Sequence, residues 1–260
     1  MPLPLIDESD ALLEVGLRTG TKTTHTSRTT MQTELFEVLE AVPNGSTIQA
    51  YAKAIEEDNV LGKRSFSNRL ITSQRLREMY GLDHGVMIFR TLRYLWNIDP
   101  DSRPMLAHLC ALARDTLLRV TAEYVIPLGV GAECVRTDML KCLSVHLEGR
   151  LNDSILNKVA ANAGSSWTKS GHLTGRNRKI RTMVKPRPVS VAFALWLGHL
   201  EGRVADELID SFWMKMFDAS RTEILEEVIR AKQLNLVKAT VAAGIVEIDT
   251  SHLTKQILSN

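Results

Sequence analysis

Apolar positions recur at helical spacing through most of this chain. Met31, Leu35, Val38, Leu39 and Val42 share one helical face, closed by Pro43-Asn44-Gly45. Ser46 and Gln49 stand at capping-box spacing ahead of a second stripe, Ile48, Tyr51, Ala52 and Ile55. Ser65 or Ser67 can cap a helix carrying Phe66, Leu70, Ile71, Leu76 and Met79. Ile88, Leu92, Leu95 and Trp96 make the next stripe, which Pro100 stops. Pro104 suits a first turn, and the longest helix is predicted from Met105 to Val125. It keeps an unbroken apolar face through Leu106, Leu109, Cys110, Ala113, Leu117, Val120 and Tyr124. Val135, Met139, Cys142 and Leu143 follow, closing near Gly149. Val189 to Leu200 is nearly all apolar and predicts a buried helix. Val204, Leu208, Phe212 and Met216 line another; Ile224, Val228 and Ala231, then Leu234, Val237 and Val241, predict two more. Ile245-Val246-Glu247-Ile248 alternates as a short strand. The fold class that follows is mainly α, a compact multi-helix bundle.

One stretch departs from this pattern by its charge. No acidic residue lies between Asp153 and Glu201, an interval holding Lys158, Lys169, Arg176, Arg178, Lys179, Arg181, Lys185 and Arg187. Clustered cations of this kind suit a polyanion, because contacts to phosphates release counterions. A short helix from Asp153, a turn at Gly164 and a second helix capped by Ser165 predict a helix-turn-helix. The following segment, through Leu173-Thr174-Gly175-Arg176-Asn177-Arg178-Lys179-Ile180-Arg181, predicts a β-hairpin with a basic tip, the wing of a winged helix. Ser165, Ser166, Thr168 and Lys169 would then face a major groove, with Trp167 packing or positioning a phosphate. His172, Arg176, Arg178, Lys179, Arg181, Lys185 and Arg187 would lie against the backbone or minor groove. The plain alternative is a solvated basic loop between helices.

Length and composition add limits rather than function. The chain of 260 residues suits one large domain or two small ones, and its formal net charge is only +2. The expected division is a flexible Thr-rich arm over 1–30, a helical domain over 31–149 and a second helical domain over 150–260 carrying the winged element. Cys110, Cys134 and Cys142 form no CxxC pair and read as reduced thiols, which points to the cytoplasm. The start MPLPLIDESD lacks the pattern of a secretory signal, and the longest apolar run is too short to span a bilayer. A soluble protein is expected.

A second basic surface precedes the first. From Asn59 to Arg77 the only charged residues are Lys63, Arg64, Arg69, Arg75 and Arg77, directly after the acidic Glu56-Glu57-Asp58. The run from Ile55 through Glu56-Glu57-Asp58-Asn59-Val60-Leu61-Gly62-Lys63-Arg64-Ser65, followed by an Arg-rich helix ending in Arg75-Leu76-Arg77, resembles the start of the BrxA family of BREX phage-defence systems. The likeness is sharp over Glu56 to Arg77 and loose over residues 31 to 250. The Thr-rich arm and the segment Gly171 to Arg176 depart from it. The resemblance implies a non-enzymatic, DNA-binding accessory protein with a mostly helical fold, similar to the antitermination factor NusB and to winged-helix modules. Lys63, Arg64 and Arg69 join the candidate contacts as members of this second basic surface, whose plain alternative is a solvated helix paired with the preceding acids.

Chemistry is hard to find. The histidines His25, His84, His108, His146, His172, His199 and His252 form no HxxxH or HExxH pair, and no nucleophile elbow or phosphate loop is present. No catalytic residue, metal or cofactor is expected. The leading expectation is a DNA-binding accessory protein whose partner is double-stranded DNA, with other phage-defence proteins as further partners. The alternatives are a helical scaffold that docks on defence components without nucleic acid, and a NusB-like RNA-binding protein.

Overall fold

Most of the stripes become helices, but not all with the boundaries their spacing suggests. The computed structural model describes residues 10–20, 23–147, 149, 151–242 and 245–259, and the fold is mainly helical. The first half runs α1 (Asp10–Glu14), α2 (Gln32–Ala41), α3 (Ile48–Glu56), α4 (Phe66–Tyr80) and α5 (Met87–Leu95), then α6 (Arg103–Arg114), α7 (Thr116–Val120), α8 (Ala122–Val125) and α9 (Arg136–Leu147). The second half runs α10 (Asp153–Lys169), β1 (Leu173–Thr174), β2 (Ile180–Arg181), α11 (Pro188–Leu200), α12 (Asp206–Ile209), α13 (Arg221–Gln233), β3 (Lys238–Ala242), β4 (Ile245–Asp249) and α14 (Ser251–Ser259).

Two helices form the centre. Every residue of α6 from Met105 to Arg114 is buried, as is every residue of α11 from Val189 to Gly198. A helix that is apolar on all sides has nowhere to go but the interior, and these two pack on one another. The cluster of buried residues around them runs from Leu17 to Ile257. It therefore crosses the boundary expected near Gly149, and the two helical domains share one core.

The long helix expected from Met105 to Val125 is broken. Asp115 has extended backbone angles, φ −126° and ψ 103°, and its carboxylate caps α7 by accepting the Leu118 N–H at 3.0 Å. A carboxylate inside an apolar stripe must find donors when buried, and stopping the helix supplies one. Other corrections follow the same logic of tertiary demand. Ser46 does not cap α3; the N-cap position is Thr47, without a side-chain bond. Ser65 does cap α4, accepting from the Asn68 N–H at 3.2 Å. Of the apolar residues this helix carries, Phe66, Leu70 and Ile71 are exposed, whereas Leu76 and Met79 face the core. The stripe Leu234 to Val241 ends not in a helix but in β3, which pairs antiparallel with β4. The helix expected over Val204 to Met216 shrinks to α12 and a 3-10 turn at Met214–Met216. Among the described residues no helix is long and apolar enough to cross a membrane.

Candidate nucleic-acid interface

The predicted helix-turn-helix is a single helix. α10 runs without interruption through Gly164 and Ser165, from an Asn152 cap that accepts the Ile155 N–H at 2.9 Å. Ser165, Ser166 and Thr168 turn their hydroxyls back to the carbonyls of Ala161, Asn162 and Gly164, at 3.0, 2.9 and 2.9 Å. Side chains bonded this way remain inside a helix rather than capping a new one. Gly164 lies inside the helix, not at a turn. A Cβ there would stand 3.2 Å from Cδ and Cε of Lys179, whose Nζ donates to Thr168 Oγ1 at 2.9 Å.

The β-hairpin is present. Leu173 pairs with Arg181 and Thr174 with Ile180, and residues 175–179, with Arg176, Arg178 and Lys179 among them, form its tip. Gly175 has φ +96°, and a Cβ would sit 2.1 Å from the Arg178 carbonyl oxygen. The hairpin is held against the loop after α8: Arg181 N–H donates to Ala132 O, Gly131 N–H to Arg181 O and Cys134 N–H to Lys179 O, at 2.9, 2.9 and 2.8 Å.

Four of the predicted contacts lie in the core, where no phosphate can reach them. Trp167 is fully buried, its indole N–H donating to Thr121 Oγ1 at 2.7 Å. His172 is fully buried between Ser170 Oγ and Met216 O, edge-on to Trp167. Burial pushes its imidazole down to about 4. Ser166 is buried against the N-terminal segment. Arg181 is only 1% exposed; it donates to Asp218 Oδ1 at 2.7 Å and to the carbonyls of Val125 and Thr182. An arginine in an apolar setting needs such partners, and the charge pattern of the chain carries no sign of which acid will arrive.

Several others are paired at the surface. Arg178 meets Glu133 at 2.7 Å, Arg187 meets Asp99 at 2.7 Å and Asp101 at 3.2 Å, and Lys63 meets Glu34 at 3.1 Å. Arg69 lies over the Phe66 ring, 5.3 Å from its centroid. Among the described residues Arg64, Arg176 and Lys185 are exposed and make no ion pair.

What remains together is the outward face of α10. Lys158, Asn162, Ser165 and Lys169 follow one another at helical spacing and are exposed or half-buried. Lys158 and Lys169 stand about 16 Å apart along the axis, at the rise of an α-helix. A hollow lies at each end. One, of about 460 Å³, is lined by Thr26, Ser27, Arg136, Lys158, Ala161 and Asn162. The other, of about 320 Å³, brings Thr168, Lys169, Lys185 and Arg187 together with Asp101 and Ser190. Lys169 is partly desolvated, and burial moves its ammonium down while Glu34 opposes the change. Burial also lowers Lys179.

Of the Thr-rich arm, residues 23–30 are part of this face, while 1–9 and 21–22 lie outside the described residues. Residues 23–30 are laid along α10, not free in solvent. His25 is fully buried, with Nδ1 2.9 Å from Asp115 Oδ2 and Nε2 2.9 Å from Ser166 Oγ. Asn162 Nδ2 donates to His25 O at 2.8 Å, and Thr30 N–H donates to Ser166 Oγ at 2.9 Å. Asp, His and Ser stand here in the order of a hydrolase relay, but all three are covered, and the Ser166 hydroxyl already meets Asn162 O, Thr30 N–H and His25. The arrangement works as a staple. Sequence reading placed Lys158 in the basic island but missed Arg136 as a member of the face, and missed the docking of His25; the one available signal was a lone acid, Asp115, in an apolar stripe. No protein-family model matches the chain, and no curated protein matches it.

Proposed function

We propose that this protein binds double-stranded DNA, without catalysis, as an accessory component of a BREX-type bacterial phage-defence system. The surface used is the outward face of α10 with its two end hollows, flanked by residues 23–30 and the tip of the hairpin. The observation that carries the reading is the absence of any carboxylate on α10 after Asp153, on a face whose ends hold Arg136 with Lys158 and Lys169 with Lys185. Ser and Thr hydroxyls between the cations suit phosphate oxygens, and contacts of this type position a protein on a duplex with little sequence information. The likeness of Glu56 to Arg77 to BrxA supports the defence context, and the NusB and winged-helix likeness belongs to the same reading.

Duplex binding followed by fluorescence anisotropy tests it. With about four phosphate contacts, affinity should fall roughly a hundredfold between about 50 and 200 mM salt. Lys158→Ala with Lys169→Ala should weaken binding and flatten that slope by about two contacts. No binding at low salt overturns the reading, and stronger competition by RNA than by duplex DNA moves it to RNA.

A second reading, a scaffold that docks on another protein, is favoured by one observation. Phe66, Leu70 and Ile71 are 54%, 41% and 44% exposed on one side of α4, with Val60 beside the helix start at 37%. Apolar side chains grouped at helical spacing are a common docking surface.

A further inference from the structure

We infer that Glu123, Cys142 and His146 form a binding site for a zinc-class divalent ion, with a fourth position open to solvent. The site is separate from the face of α10 and does not depend on the nucleic-acid reading. Cys142 and His146 are four residues apart on α9 and so project from one face of that helix. Glu123 comes from α8, which packs on α9. One carboxylate oxygen, the thiol sulfur and an imidazole nitrogen all lie within 4.8 Å of one another. Around a tetrahedral zinc ion such atoms stand about 3.5 Å apart, so a small rotation of side chains suffices. His146 Nε2 and Glu123 Oε1 are already 3.2 Å apart.

The hydrogen bond on the other ring nitrogen makes the case sharper. His146 Nδ1 lies 3.1 Å from the carbonyl oxygen of Cys142. A carbonyl only accepts, so Nδ1 carries the hydrogen of that bond, which leaves Nε2, the nitrogen beside Glu123, as the one that would hold the ion. An imidazole anchored through Nδ1 to a backbone carbonyl is also how metal-ligating histidines are commonly oriented. All three side chains are half-buried, so an ion can enter and a water can complete the coordination. On binding, the Cys142 S–H bond breaks and its proton passes to solvent, while Zn–S, Zn–N and Zn–O bonds form. The ion's two positive charges are then balanced by one thiolate and one carboxylate.

Cobalt(II) titration of the reduced full-length protein tests the site. The expected result is a thiolate-to-cobalt charge-transfer band that saturates at one equivalent and is bleached by zinc. Cys142→Ser should abolish the band. Glu123→Gln and His146→Asn should each weaken binding at least tenfold. Cys110→Ser and Cys134→Ser should leave the band unchanged. Zinc should also raise the melting temperature of the parent protein more than that of Glu123→Gln, a near-isosteric change that keeps the fold. A missing band, or a band that survives Cys142→Ser, overturns the assignment.

Discussion

His25 and Asp115 meet at 2.9 Å although 90 positions separate them in the chain, and both are buried. The contact joins the break between α6 and α7 to the segment that lies along α10. Asp115 also accepts from Thr23 Oγ1, from Thr24 N–H and Oγ1, and from the Leu118 N–H. Burial by itself would raise the Asp115 carboxyl, but His25 and these donors outweigh it and hold the group well below the usual carboxylate range. Removing one member of such a set strands the others without water.

Asp115→Ala is therefore expected to destabilise the protein by about 3–5 kcal/mol, read as a lower midpoint in urea unfolding. His25→Ala should cost less than Asp115→Ala, because it leaves the cap on α7 in place. Both should release residues 23–30, seen as faster proteolysis near Arg28. An Asp115→Ala protein as stable as the parent would show that the staple is ornamental.

Stability should fall as pH drops below neutrality. His172 is held neutral in the fold, with its ordinary value of 6.5 brought down to about 4 by burial above all. Between those two values the unfolded chain takes up a proton that the folded chain refuses, so acid favours unfolding. The loss approaches about 3 kcal/mol once pH falls through the folded value. His108, also buried and pushed down first by burial and then by His172, works in the same direction. Melting temperatures measured across pH 6.5 to 4 should decline, and His172→Gln should make the decline shallower by close to one proton.

Two glycines near the hairpin should respond with opposite signs. Gly175→Ala puts a methyl against the Arg178 carbonyl in a left-handed backbone conformation, so it should lower stability and disturb the hairpin. Gly164→Ala meets only the flexible stem of Lys179 and adds helix propensity worth about 1 kcal/mol. It should stabilise α10 while displacing Lys179 from Thr168. Thermal melts of the two variants decide the matter, and equal losses would contradict it.

Charge removal should separate the two kinds of cation in the basic island. Arg181→Ala removes a buried side chain paired with the half-buried Asp218 and should cost about 3 kcal/mol of stability. Arg176→Ala, at an exposed tip residue, should leave the melting temperature unchanged and weaken duplex binding modestly. If Arg181→Ala instead kept full stability and lost DNA binding, the burial of that side chain would be the wrong basis for its role.

Local order was well represented in the chain. The stripes of α2, α3, α5 and α11 and the turn chemistry of the β1–β2 hairpin are properties of near neighbours: a 3.6-residue period buries one face, and a glycine at φ +96° closes a tight tip wherever the segment ends up. The mainly helical class followed from that periodicity alone. What stood beyond reach were the partners. Nothing in the run from Ser165 to Arg181 announces that Asp218 will neutralise Arg181, that Glu133 will meet Arg178, or that His25 will cover Ser166. The island of cations is continuous along the chain and discontinuous in space, because each turn of helix or strand sends neighbouring side chains to different sides. Burial and ion pairing are long-range decisions, made when distant elements close over one another. Only the folded molecule could say which lysines and arginines stay in water.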